Sequence, residues 1–266
     1  MSPKKNLNRK LEIQKRISKV LTIDDLVFLV SYPKSGNTWL RFLLGTLCQN
    51  EKIDWLNVND LVPYISSCSY EQVMGLKQPR IIKSHRMYDK RYKKVIYVIR
   101  DVRDVAVSYY YWFLKRRKDF NDTFNEYLEK FVLGKLDGFG NWKNNIQSWL
   151  ENKDKVEQGF MWLKYEDLKK DTFKEVKNIL KFLSLHKSNE EIQQAIQWSS
   201  FENMKELEEE QQNRCKMLKS HQNILLVRKG ECGGWKNILN DKQKNLMKEH
   251  FGQLLIELGY ETSLNW

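Results

Sequence analysis

Apolar and polar positions divide the chain into short continuous apolar runs and longer stretches with helical spacing. Strand-sized runs occur at 26–32, 80–83, 94–99 and 160–164. The run KVIYVI at 94–99 has no polar alternation, the mark of a strand buried on both faces. Helical spacing predicts helices over 37–49, 104–115, 124–134, 142–152, 170–183, 189–199 and 241–258. Residues 50–78 read as loop and short helix, with Pro63 and Pro79 as breakers. Residues 202–229 read as a polar segment with a charged run at 205–212. Residues 1–22 are a basic helix or a partly ordered tail. Strands alternating with helices predict an α/β fold, a central parallel sheet flanked by helices, in which ligands sit at the strands' carboxyl ends. No repeat or linker-like stretch interrupts 1–266, so a single domain is expected.

The first strand leads into the most informative segment, LVFLVSYPKSGNTWL at 26–40. A strand, a tight loop and a helix start form an anion trap, because backbone N–H groups converge there and the helix dipole adds positive charge. Lys34 adds a full charge, Gly36 permits a tight loop, and Ser35, Asn37 and Thr38 add side-chain donors, so the expected ligand is a phosphate. The loop is not GxxxxGK[ST]: the lysine precedes the glycine, and Trp39 stands where a small residue is usual. A plain strand-to-helix connection with a capping residue fits this segment too.

Two later segments add cations. In YVIRDVRDVAVSYYYWF at 97–113, Arg100 ends a buried strand and Ser108 lies on the next helix. A guanidinium and a hydroxyl suit a second phosphate site, whereas Arg100 paired with Asp104 would simply cap the helix. In LVRKGECGGWKN at 226–237, Arg228, Lys229 and Gly230 form a basic turn open to close approach by an anion, or a solvated loop. The aromatic run 109–113, with Trp142 and Trp149, is expected to pack at least half in the core, with one residue of 109–111 facing a pocket.

Composition sharpens this picture. With 46 Lys+Arg against 34 Asp+Glu, the net charge is +12, which suits a nucleic acid, an anionic membrane surface or a phosphorylated small molecule, and equally suits solubility alone. Four scattered cysteines, none in a CxxC pair, read as reduced thiols in a cytoplasmic protein. No apolar run follows the basic N-terminus and none reaches membrane-spanning length, so neither a secretory signal nor a membrane partner is expected.

Taken in order, these segments resemble the cytosolic-type sulfotransferases, which transfer a sulfuryl group from 3′-phosphoadenosine 5′-phosphosulfate (PAPS) and release adenosine 3′,5′-bisphosphate (PAP). The family's 5′-phosphosulfate loop, YPKSGTTW, is similar to 32–39, with Asn37 replacing a threonine. Its 3′-phosphate segment is similar to 100–108, and its RKGxxGDWK to 228–236, with Gly234 in place of Asp. Its Lys-Thr-His strand end is similar to Lys83-Ser84-His85, its adenine-contacting tyrosine to Tyr165, and its Ser/Thr-Phe element to 199–201, ahead of Met204. Segment 236–245 does not keep the family's short dimerisation motif.

The resemblance implies site roles. His85 is the general base for an acceptor hydroxyl or amine, and His186, His221 and His250 are surface residues. Lys34 stabilises the leaving phosphate oxygen and Lys83 the sulfuryl oxygens. Ser108 holds Lys34 away until the 3′-phosphate binds. Ser35, Gly36, Asn37 and Thr38 cradle the 5′ end, while Arg100, Ser108, Arg228, Lys229, Gly230 and Ser199 belong to the cofactor site. Trp39, Tyr165 and Phe201 surround the adenine. No metal is expected where lysines carry the charge. The acceptor is expected to be a small molecule rather than a nucleic acid, with substrate-facing loops near 55–79, 109–145 and 205–224. Two other classes compete: a P-loop kinase or NTPase, with Asp101 in VIYVIRD holding Mg²⁺, and a non-catalytic nucleic-acid binder.

Overall fold

The computed structural model describes residues 3–220 and 224–266. Four parallel strands form one sheet in the order β2-β1-β3-β4: β1 (Leu26–Ser31), β2 (Arg80–Ser84), β3 (Lys94–Ile99) and β4 (Phe160–Lys164). All four lie where the apolar runs place them, and the α/β class agrees with expectation. The chain leaves β1 for β2 on one side and returns to β3 on the other, so the strand order switches beside β1. In such sheets the crevice beyond the strand ends at that switch receives the ligand. The register keeps those ends level: Val30 pairs with Ser84, and Ser31 with Val98.

Alternate residues of the inner strands enter two cores. Phe28, Val30, Tyr97 and Ile99 join the helices Val102–Arg116, Phe124–Val132, Trp142–Leu150 and Asp241–Glu257 on one face. Val27, Leu29, Ile96 and Val98 join Asn37–Gln49, Thr172–Phe182 and Asn189–Trp198 on the other. Both faces are covered, which accounts for the unbroken apolar reading of β1 and β3. Pro3–Val20 is helical, with Ile17 and Val20 in the core. No helix among the described residues is long and apolar enough to cross a membrane.

Trp142 and Trp149 do not face a pocket. Both indoles are buried, and their N–H groups donate to the carbonyls of Arg100 (3.2 Å) and Arg86 (3.0 Å). They tie down the segments just beyond β3 and β2, where cavity residues begin.

A second difference concerns 202–229. Its first part is the helix Phe201–Gln211, with Ser200 Oγ accepting from the Asn203 N–H at its start. The stripe that it buries is Met204, Glu208 and Gln211, two of them polar, so apolar periodicity does not reveal it.

Candidate active site

A cavity of about 670 Å³ opens at the carboxyl ends of the strands, within the ~300–1,000 Å³ usual for small-molecule sites. Each strand delivers a residue to it: β1 leads into Lys34, Gly36, Asn37 and Thr38, β2 into His85, β3 into Arg100 and β4 into Tyr165, while Ser35 is buried within the β1 loop and does not line it.

The β1 loop turns sharply. Lys34 has φ 69° and Gly36 φ 94°, both left-handed. Gly36 precedes the helix Asn37–Gln49 and makes no side-chain cap, so the first N–H groups of that helix have no capping side chain. Asn37 is not a phosphate donor through its side chain. Its Nδ2 donates to the Leu29 carbonyl (3.1 Å) and to Ser31 Oγ (3.2 Å), lashing the loop back to β1.

Arg100 does not pair with Asp104. Its Nη2 donates to the Glu231 carbonyl (2.8 Å) and its Nη1 to the Lys34 carbonyl (3.3 Å), and its guanidinium lies 4.3 Å from the Tyr165 ring centroid. Asp104 instead accepts from the N–H groups of Gly233 (2.7 Å) and Trp235 (3.0 Å), fixing the end of the basic turn. The helix is capped by Asp101, which accepts from the Arg103 N–H and pairs with its guanidinium at 2.7 Å. Asp101 is thus engaged away from the cavity, and the Mg²⁺ role of the kinase alternative has no support there.

Tyr165, Trp39 and Phe201 all line the cavity. The Tyr165 hydroxyl donates to the Gly230 carbonyl (3.2 Å), and Trp39 stands edge-on to its ring at 5.6 Å. Gly230 has φ 63°, and a Cβ there would lie 2.8 Å from the Phe201 ring. Arg228 stacks over Tyr111, 4.2 Å from its centroid, and Lys229 is exposed at the cavity wall. Ser108 also lines the cavity, but no hydrogen bond joins it to Lys34 among the described residues. Ser199 does not line it: its hydroxyl donates to the Ala195 carbonyl (2.8 Å), and the neighbouring Ser200 lines the wall instead.

His85 lines the cavity and is largely buried, with Nδ1 2.7 Å from the Ser31 carbonyl. A carbonyl only accepts, so Nδ1 carries the proton and Nε2 is left as the basic nitrogen. Burial first, then the cations of Lys83, Arg41 and Lys34, hold the imidazole well below its ordinary pKa, against the opposing pull of the Ser31 carbonyl. Burial likewise lowers Lys83 to about 7, with Arg41 and Lys34 adding to it. Lys34 falls to about 8 through burial and Arg100. Segment 63–65 runs alongside β2, with Lys83 N–H donating to Pro63 at 2.8 Å, and this sets Tyr64 under the Lys83 ammonium at 5.3 Å.

The rings beside His85 are Tyr64, at 6.1 Å, and Phe139, edge-on to the imidazole at 5.6 Å, and Tyr109 and Trp112 add aromatic lining to the same cavity. Tyr109 is the expected pocket member of the aromatic run, and its hydroxyl donates to Asp137, which anchors the Phe139 loop. Trp55, Tyr64, Phe139 and Met217 come from the three loops named above as substrate-facing, although no residue signal singled them out. His186 is exposed and His250 half-buried, neither in the cavity, and His221 lies outside the described residues.

Whether these residues suit a nucleotide bisphosphate can be tested on the buried polar atoms. Among the described residues, Ser35 Oγ and Arg100 Nε are buried donors without a hydrogen-bond partner. Each such group costs about 1–3 kcal/mol when left unpaired. Both flank a loop that also holds Lys34 and faces Arg228, so anionic oxygens bound there would relieve them. Asn37 Oδ1 is also unpaired, but as an acceptor it would gain nothing from a phosphate. The donor set fits the group.

Comparison with known proteins agrees with this site. A family model described as the sulfotransferase domain matches residues 24–259. Sulfotransferase 1E1 of Bos taurus is 35% identical over 242 residues, covering 82% of this chain and 80% of its own. The crystal structure of mouse sulfotransferase SULT7A1 complexed with PAP is similar with a TM-score of 0.69 and 26% identity, covering 92% of this chain and 94% of that one. A retinol dehydratase structure in complex with retinol and PAP has a TM-score of 0.69 at 19% identity, covering 92% of this chain and 86% of its own, a likeness of fold alone.

Proposed function

The chain belongs to the sulfotransferase family and is an enzyme that uses PAPS as its sulfuryl donor, and from that premise we propose that His85 takes the proton from a small-molecule hydroxyl or amine acceptor held in the aromatic end of the cavity. The observation that carries this reading is the His85 imidazole, fixed by the Ser31 carbonyl so that Nε2 is basic, and kept neutral by burial between cations. A neutral imidazole is ready to accept a proton at physiological pH.

The remaining roles follow from placement. Bound PAPS supplies the sulfuryl group. Arg100, Arg228, Lys229, Gly230 and Ser108 would hold its 3′-phosphate, and Lys34, Ser35, Gly36 and Thr38 its 5′ end. Trp39, Tyr165 and Phe201 would enclose the adenine, where aromatic faces exclude water. Lys34 and Lys83 oppose negative charge that grows on oxygen during transfer. In a half-buried site such fixed charges act more strongly than in water. Their pKa values near neutrality reflect burial first and neighbouring cations second, and an anionic ligand would favour the charged forms.

Tyr64 and Phe139 stand beside the His85 ring, and Tyr109 and Trp112 line the same cavity. They favour an acceptor whose hydroxyl or amine is carried on an apolar body. PAP addition in a thermal-shift assay, followed by a screen of alcohols, phenols and amines with PAPS, tests the reading. It predicts a PAP-dependent rise in melting temperature and transfer to at least one acceptor; no shift at millimolar PAP would overturn it.

A further inference from the structure

The basic turn that faces the cofactor site has no backbone ladder to shape it. Among the described residues, 224–232 make no backbone–backbone hydrogen bond. Side chains hold the segment instead: Asp104 at Gly233 and Trp235, Arg100 at Glu231, Tyr165 at Gly230, and Glu208 at its beginning.

Glu208 is fully buried, at 0% exposure. Its Oε1 accepts from Lys115 Nζ at 2.7 Å and from the Leu226 N–H at 2.6 Å, and its Oε2 accepts from the Val227 N–H at 2.8 Å. Lys115, at 1% exposure, lies in the last turn of the helix Val102–Arg116, whose earlier turns carry Ser108. Glu208 itself lies on the helix that begins with Phe201. One carboxylate therefore joins the three segments that bring Ser108, Phe201 and Arg228 to the cavity. Burying an ammonium and a carboxylate together is a weak source of stability, since desolvation offsets most of the attraction. What the arrangement provides is geometry: charge-assisted bonds to two successive N–H groups fix the backbone immediately before Arg228.

We propose that Glu208, with Lys115 as its counter-charge, is the positioning residue of the cofactor loop, holding Leu226 and Val227 so that Arg228 and Gly230 face the 3′-phosphate. This rests on the PAPS reading of the cavity. Glu208 does not line the cavity; it acts through the backbone, and its charge also favours the protonated form of Lys34. Its loss should therefore appear in cofactor affinity and leave the acceptor side unmoved.

Glu208→Gln keeps the shape of the side chain. It replaces one carboxylate oxygen with an NH₂ group, which accepts from neither Lys115 nor the loop. The experiment measures PAP affinity by calorimetry, the KM values for PAPS and acceptor, and hydrogen exchange of a peptide covering 224–230 without ligand. The expected result is faster exchange in that peptide, PAP Kd and PAPS KM raised about tenfold or more, and acceptor KM and kcat at saturating PAPS within about threefold of the wild type. PAP affinity within about twofold of the wild type would overturn the proposal, as would unchanged exchange at 224–230. Should Glu208→Gln not fold, Lys115→Met/Glu208→Gln, which buries no unpaired ammonium, is measured in the same way, and either of those two results in it would overturn the proposal. Wild-type protein that did not bind PAP would overturn the cofactor reading instead, and exchange at 224–230 would then decide the clamp alone.

Discussion

The ring of Tyr165 fills the space that any side chain at position 36 would need: a Cβ on Gly36 would lie 2.4 Å from Tyr165 Cδ2. The first residue after β4 thus closes on the loop after β1, and the glycine permits both the contact and φ 94°. Gly36→Ala should lower stability by about 1–3 kcal/mol and displace Tyr165 from its hydrogen bond to Gly230. Differential scanning fluorimetry with and without PAP checks this. A variant with wild-type melting temperature and wild-type PAP response would show that the contact is not required.

Arg100 and Arg228 approach the cavity from two elements, one at the end of β3 and one in the basic turn. In the proposed roles both hold the phosphate remote from the reacting sulfur, so each contributes mostly uniform binding. Arg100→Ala and Arg228→Ala should raise KM for PAPS about 10- to 100-fold, the worth of a charge-assisted hydrogen bond, with kcat changed far less. Steady-state kinetics with varied PAPS separates the two. A fall in kcat with KM unchanged would place these residues at the reacting end.

Much of this architecture is legible in the chain because it rests on local signals. The apolar runs of β1 and β3 are unbroken since both sheet faces are covered, and Pro33 and Gly36 mark the turn into the helix at Asn37. Motif order locates His85, Arg100, Tyr165 and Arg228 at strand ends and the basic turn. What is hidden depends on partners distant in sequence. Glu208 sits in a charged run within a segment that reads only as polar, and only Lys115 and the 226–227 backbone make it a buried group. Trp149 is one of a group of aromatics expected to lie at least half in the core, and the Arg86 carbonyl that meets its indole settles which side it takes. Ser199 and Ser200 are adjacent serines whose exposures differ by the helix end between them.

The lysine pKa values set a pH dependence. Lys83 near 7 and Lys34 near 8 lose their protons as pH rises through that range in the free protein, while a bound anion favours the charged forms. PAP affinity should therefore fall between pH 7 and 9, and binding at pH 8 should take up protons. On the acid side burial and the neighbouring cations hold the His85 pKa well below its ordinary value, so its protonation falls below the range in which the lysines titrate. Titration calorimetry at pH 8 in two buffers of different ionisation enthalpy measures the uptake directly. Zero uptake with a flat affinity profile would mean that both lysines are already fully charged in the free protein.

The most direct test of His85 as general base is single-turnover transfer of labelled sulfuryl from PAPS to an accepted small molecule, comparing wild type with His85→Ala while PAP affinity is followed in parallel. The imidazole contacts the Ser31 carbonyl and the aromatic wall, whereas other side chains are assigned to the phosphates. The expected result is PAP affinity close to wild type in the variant, with transfer slowed ~100- to 10,000-fold, the range for a lost general base. Transfer at the wild-type rate by His85→Ala would contradict that role and assign the proton to another group.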